Sequence, residues 1–338
     1  MLRKIMLLCF ICSSLLLAAC GGEQRQEKQL GKQQKTTKLV LYSELDNKFT
    51  ADLVQSFNEN FNKERKQRVE LSFISELKPD AQPPDLVLAE QRTLYGLHSQ
   101  KRLKQVAFAA GDKVPLKLRD EDMHWYGVFY DPAVLLVNQN FARTIGQSSM
   151  RGWTDLENNE NLRIAMENLS DSNSTQNFLG AFADTMGETT SLNYLWNINR
   201  FVAQYAKFPF TAIRMTAVGD ADVALTRQSY VFKYLENKFP AYVVFPREGT
   251  PVNLFCVGMF KECDKEVDAL HFMEWLLKSD KVQAVAQRDN TGYQFIFPRG
   301  LEAGPVDVQK LWVNKNYLEP TKQEALTNRW LERVRFSK

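Results

Sequence analysis

Thr226-Arg227-Gln228-Ser229-Tyr230 follows an apolar run ending at Leu225 and brings a guanidinium, a hydroxyl and a phenol within four positions. Arginine there offers a rigid fork of donors for a carboxylate or phosphate; a solvated surface arginine gives the same letters. Ser170-Asp171-Ser172-Asn173-Ser174-Thr175 runs straight into a helical pattern. Free backbone N–H groups and hydroxyls at a helix N-terminus make an anion site, and a polar loop with one capping serine accounts for them equally. Ser43 and Glu44 come between a first apolar strand and a helix, and Ala89, Glu90 and Gln91 stand at the equivalent place after a third strand. Strand ends of this kind present ligand groups in α/β sheets, while turns and helix caps draw on the same residue types. These side chains form the candidate ligand-binding set.

Catalytic chemistry has no comparable support. GxSxG, HExxH, P-loop and glycine-rich dinucleotide patterns are all absent from the sequence. Outside the N-terminal apolar run there is no CxxC, and with three scattered histidines, His98, His124 and His271, there is no zinc signature. The chain therefore reads as a binder that is not an enzyme, with no cofactor and no metal.

The N-terminus shows where it works. Arg3 and Lys4 precede an uncharged apolar run, Ile5 to Leu17, that ends in Leu17-Ala18-Ala19-Cys20. A secretory signal has this layout, and the run is shorter than the roughly 20 apolar residues of a spanning helix. Its end resembles the bacterial lipobox, which implies cleavage before Cys20 and acylation (palmitate) of that cysteine. An ordinary signal with an incidental cysteine is the alternative. Residues 20–37 then form a Gln-, Lys- and Gly-rich stretch with Leu30 as its one large apolar residue, read as a flexible tether.

Stepping from the formal charge of +3, loss of residues 1–19 with Arg3 and Lys4 leaves +1. A near-neutral body argues against nucleic acid as a partner. Only Cys256 and Cys263 remain in that body, either bridged across a sharp turn near Lys261 or as two free thiols.

The elements that must position the candidates alternate in type. Leu39–Tyr42 reads as a buried strand, and Thr50 to Lys63 as a helix with Leu53, Val54, Phe57 and Phe61 on one face. Strands at Val69–Phe73 and Leu86–Ala89 follow, then a helix through about Lys104. This order implies a parallel sheet covered by helices. After Asp131-Pro132 a strand is expected at 134–137, and the pattern restarts at 162–165, with helices over 175–186 and 190–206. Strands at 222–225, 241–245 and 254–259 and an amphipathic helix over 266–278 complete the body. A restarted pattern in about 300 residues suggests an α/β fold of two lobes with the chain crossing between them.

The blocks LVLYSELDNKFTADLVQSFNENFN, DLVLAEQRTLYGLHSQKRLKQV, HWYGVFYDPAVLLVNQN and GDADVALTRQSYVFKYLENKFPAYVVFPREGTPVNLFCVGMF, in this order, resemble the type II periplasmic binding proteins of the ferric-ion, thiamine and phosphonate or sugar-phosphate group. The resemblance covers nearly all of residues 38–300 and rests on order and spacing. It implies a ligand cleft between lobe one, 38–135 plus 252–300, and lobe two, 136–251 plus 301–338. It further implies a monomer serving an ABC permease or, alternatively, a sensor presenting its closed form to a membrane signalling protein. In the ferric-ion binders two adjacent tyrosines ligate the metal, and here they align with Ser229 and Tyr230. One phenolate is missing, Tyr234 stands one helical turn further on, and Arg227 turns the expectation towards an anionic or phosphorylated solute over iron.

Overall fold

The computed structural model describes residues 36–337 apart from 66–68, 79–80, 147–149, 160 and 236–238. The signal segment, Cys20 and nearly all of the tether lie outside the described residues.

Strand β1 (Thr37–Ser43) lies between parallel partners β2 (Val69–Ile74) and β3 (Leu86–Glu90), with helix α1 (Asn47–Arg65) connecting β1 to β2. Phe49, Leu53, Phe57 and Phe61 recur at every fourth position of α1 and are all buried, the stripe that a helix lays on a sheet. Helix α2 (Gln91–Ser99) starts directly after β3 and stops short of Lys104. Lys101 turns to a φ of 58° and Leu103 bridges to Phe260, which takes the chain out of the helix. A short α3 (Ala109–Asp112) follows.

Strand β4 (Trp125–Asn138) is buried along all fourteen residues and runs straight through Pro132, where the sequence had suggested a start only at Val134. The proline is tolerated because the strand changes partners there. Trp125–Pro132 pairs with β9 (Thr250–Met259), and Ala133–Val137 pairs with a different strand, β7 (Val223–Arg227). A missing ladder N–H costs least at such a handover.

After α4 (Gln139–Ile145), strands β5 (Ile164–Glu167), β6 (Val202–Ala206) and β7 (Val223–Arg227) form a second parallel set. Helices α5 (Asn173–Met186), α6 (Glu188–Asn199), α7 (Pro209–Val218) and α8 (Gln228–Tyr234) connect these strands or follow them. The helix expected over 190–206 ends at Asn199, because Val202–Ala206 finds a parallel partner in β5. Strand β8 (Ala241–Val244) joins the far half of β4. Strand β9 (Thr250–Met259) then returns antiparallel between β3 and β4. Helices α9 (Glu266–Lys278) and α10 (Asp280–Arg288), the two-residue strands β10 (Gln294–Phe295) and β11 (Leu311–Trp312), and α11 (Pro320–Trp330) complete the described chain. The sheet order is β2-β1-β3-β9-β4-β7-β5-β6, so the expected parallel sheet is in fact mixed, with β4 and β9 as its antiparallel centre. Cys256 on β9 and Cys263 beyond it are buried free thiols, not a disulfide.

The apolar interior divides with β4. Residues from Leu39 to Tyr130 and from Val252 to Phe297 build one core, while Ala133 to Leu225 and Leu326 to Val334 fill two further clusters on the other half of the sheet. The C-terminal segment packs on both halves. Val306, Leu311 and Val313 pack with the first core, and Trp312, Leu326 and Trp330 pack with the second.

Candidate functional site

Four parallel strands end in polar residues: β1 at Ser43, β3 at Glu90, β5 at Glu167 and β7 at Arg227. Parallel strands present ligand groups at these carboxyl ends. Between the two sets run β4 and β9, which contribute the paired residues Asp131 and Asn253 where the chain passes from one core to the other.

Arg227 is the centre of this region. Its side chain is 14% exposed, and one guanidinium nitrogen lies 3.9 Å from the fully buried carboxylate of Asp131. The guanidinium stacks 4.2 Å from the centroid of the Tyr230 ring and donates to the Tyr230 hydroxyl. Burial pulls its pKa down, but Asp131, Tyr230, Glu90 and Glu167 together outweigh that and leave it raised. The carboxyls respond in kind. Burial raises Glu90, Asp131 and Glu167 above the usual carboxylate range, and in each case Arg227 pulls the other way. Burial also raises the Tyr230 phenol against the pull of Arg227, so the phenolate is disfavoured.

Helix α5 supplies a second wall. Its N-cap Ser172 accepts the N–H of Thr175, and the Thr175 hydroxyl accepts the N–H of Ser172, a reciprocal cap. In this first turn, Ser174 and Thr175 line a small cavity with Glu167, Thr226 and Arg227. The Thr226 hydroxyl there is buried with no hydrogen-bond partner among the described residues. Asn253 ties the two halves together: its amide donates to the Ser174 hydroxyl at 2.5 Å, and its carbonyl oxygen accepts from Asn177 at 2.8 Å.

The structure sorts the sequence candidates. Glu90, Ser174, Thr175, Arg227 and Tyr230 gather around this region. Ser43 is buried, 3.0 Å from the hydroxyl of Thr50 and accepting the N–H of Leu45, so its hydroxyl serves the turn. Glu44 is exposed and accepts from Tyr42, Thr93 and the Glu90 N–H, which holds the start of α2. Ser172 is used by its cap, and Asn173 is exposed beside it. Ser229 faces inward to Asp131. Tyr234 is 39% exposed and tilts against Tyr230 with ring centroids 6.1 Å apart.

Sequence reasoning passed over Asp131, Glu167, Asn253 and Tyr293. Glu167 was within reach, since it stands at a strand end just as Glu90 does. Asp131 was hidden by its proline neighbour, which disguised mid-strand residues as a loop. Tyr293 stacks on Phe129 at 5.1 Å between ring centroids, and burial raises its phenol. Gly292 brings it there: at a φ of 72°, a Cβ would stand 2.9 Å from the Ser229 Cα. Only glycine permits both that conformation and that approach.

A two-lobed α/β periplasmic-binding-protein architecture is the fold these elements build. The ferric iron-binding protein A of Mannheimia haemolytica in an open conformation superposes with a TM-score of 0.70 at 16% identity, over 89% of this chain and 99% of that one. The Trichodesmium protein in complex with iron and citrate gives 0.68 at 17%, covering 89% and 100%. The Actinobacillus pleuropneumoniae protein AfuA with fructose-6-phosphate gives 0.64 at 16%, covering 90% and 100%. Residues 81–328 match the family described as bacterial extracellular solute-binding protein, and the chain belongs to that family. It is thus a binder and not an enzyme.

Among curated relatives, an uncharacterized protein of Haemophilus influenzae is 27% identical over 169 residues, 47% of this chain and 48% of that one. Iron uptake protein A1 of Synechocystis is 26% identical over 195 residues, 53% of this chain and 52% of that one. The chain spans about half the length of the curated relatives it matches. Among the described residues no helix is long and apolar enough to cross a membrane.

Proposed function

We propose that the chain is the lipid-anchored substrate-binding component of an ABC importer, held on the extracytoplasmic face by acylated Cys20 and delivering a small solute to a permease. In this reading the ligand sits between a lobe of residues 38–135 plus 252–300 and a lobe of 136–251 plus 301–338. The supporting observation is Arg227, buried among carboxylates from both halves of the sheet and lining a cavity with Ser174 and Thr175. An anionic or phosphorylated group suits Arg227, the unpartnered Thr226 hydroxyl and the start of α5. Glu90, Asp131 and Glu167 outnumber the guanidinium, however. A bare anion would meet that excess of negative charge, so the favoured solute carries a cationic centre as well as its anionic group.

Iron is the second reading, supported by the likeness to Iron uptake protein A1 and by the hard oxygen donors Glu90, Glu167 and Tyr230. Against it stands the guanidinium that already donates to Tyr230.

A thermal-shift panel of phosphate esters, amino acids and aminated phosphates, dicarboxylates and ferric citrate tests the ligand class. A ligand at 100 times its Kd stabilises the native state by about 2.7 kcal/mol. Binding of simple sugar phosphates without any zwitterion would overturn the charge argument and leave the importer role standing. Small-angle scattering at saturation tests the role itself, since lobes that close on a ligand lower the radius of gyration. An unchanged radius would count against the hinged cleft.

A further inference from the structure

Three histidines occur in this chain, and two of them meet in space although 26 positions separate them. His98 lies in the last turn of α2, and His124 immediately precedes β4. Their rings lie 4.2 Å apart between centroids, tilted by 57°. Asp120 joins them: its carboxylate takes the N–H of the His124 backbone at 3.1 Å and faces His124 Nδ1 at 2.9 Å. One donor atom from each of the three residues lies within 4.8 Å of the others, and among the described residues no other group of three His, Cys, Asp or Glu side chains converges in this way.

We propose that His98, His124 and Asp120 form a site for a divalent first-row transition ion such as Zn2+, separate from the solute cleft. Two imidazoles and a carboxylate are donors suited to Zn2+, Ni2+ and Cu2+, and water fills the remaining positions. With bonds of about 2.0–2.1 Å, donors around tetrahedral zinc stand about 3.4 Å apart. Closing from 4.8 Å or less asks only for side-chain rotation. His124 and Asp120 are 19% and 18% exposed, which leaves the ion a path in.

The separation from the cleft follows from element lengths. Helix α2 begins beside Glu90 and carries His98 about 12 Å along its axis, at 1.5 Å per residue. His124 precedes Asp131 by seven strand positions, roughly 23 Å at 3.3 Å each. A bound ion would fasten the loop before β4 to the end of α2 and leave the solute groups untouched.

Equilibrium dialysis of the tether-and-body protein against Zn2+, with metal quantified afterwards, tests this. One equivalent is expected, together with a higher melting temperature. His98→Gln and His124→Gln should each weaken uptake at least tenfold, with far-ultraviolet spectra confirming that the variants are folded, and Tyr230→Phe should bind as the parent does. Zinc retained at full affinity in His98→Gln would overturn the proposal, as would zinc lost in Tyr230→Phe but kept in His98→Gln, which would place the ion in the cleft. No uptake of Zn2+, Ni2+ or Cu2+ above a buffer control would overturn it outright.

Discussion

Ser229 gives both of its donors to Asp131, the hydroxyl at 2.5 Å and the backbone N–H at 3.0 Å, across 98 positions of sequence. This pair joins the start of α8 to the strand that crosses between the two cores. The hydroxyl serves a buried carboxylate instead of facing a ligand.

Ser229→Ala removes one of those donors from a carboxylate that cannot reach water. We expect a loss of about 1–3 kcal/mol, the cost of leaving a buried polar group short of a partner. Urea unfolding should show a lower midpoint with an unchanged slope. A midpoint equal to the parent's would mean that the bond contributes nothing.

Arg227→Ala weakens an anionic ligand by about 1.5–3 kcal/mol, the range for hydrogen bonds to charged groups. The unliganded protein should lose stability in this variant as well. Asp131 would be left buried and uncompensated, a defect that costs up to about 3–5 kcal/mol. Adding Asp131→Asn should recover much of the stability and none of the affinity, and calorimetry on the two single variants and the double separates the terms.

The partly buried carboxyls set a pH dependence. Glu90 and Glu167 have folded-state values raised above 4.5, chiefly by burial. Their protonated forms therefore favour the fold: the contribution is full below about pH 4.5 and is lost as pH rises through the raised values. Glu167→Gln should accordingly raise the unliganded melting temperature at pH 7 by a few degrees, about 2–4 °C per kcal/mol for a protein approaching this size. Near pH 4 the gain should vanish. A gain that persists unchanged at pH 4 would refute the assignment.

Ferric iron should produce no visible tyrosinate band at neutral pH, because burial disfavours the Tyr230 phenolate and Arg227 donates to its oxygen. Absorbance titration with ferric citrate checks this. A strong band that disappears in Tyr230→Phe would restore the iron reading.

Cys20→Ala should leave the protein unacylated and free of the membrane fraction, as followed by metabolic labelling with palmitate. Retained label would show that another residue carries the lipid.

The α/β alternation, the two lobes and the strand-end positions of Glu90 and Arg227 were legible in the sequence by itself. Local hydrophobic spacing is enough for that: Leu53, Phe57 and Phe61 mark a helix face, and an apolar run into Arg227 marks where a strand stops. Tertiary structure alone decided which of these groups share a site. Asp131, Asn253 and Tyr293 join it through strands paired far along the chain and through the close approach of Gly292, and no local period records such pairing. The same holds for His98 and His124, scattered in sequence and adjacent in space, because contact between a helix end and a strand start depends on how the sheet is ordered. The excess of carboxylates around Arg227 emerged only on folding, when three residues from three strands were brought, partly or fully buried, around one guanidinium.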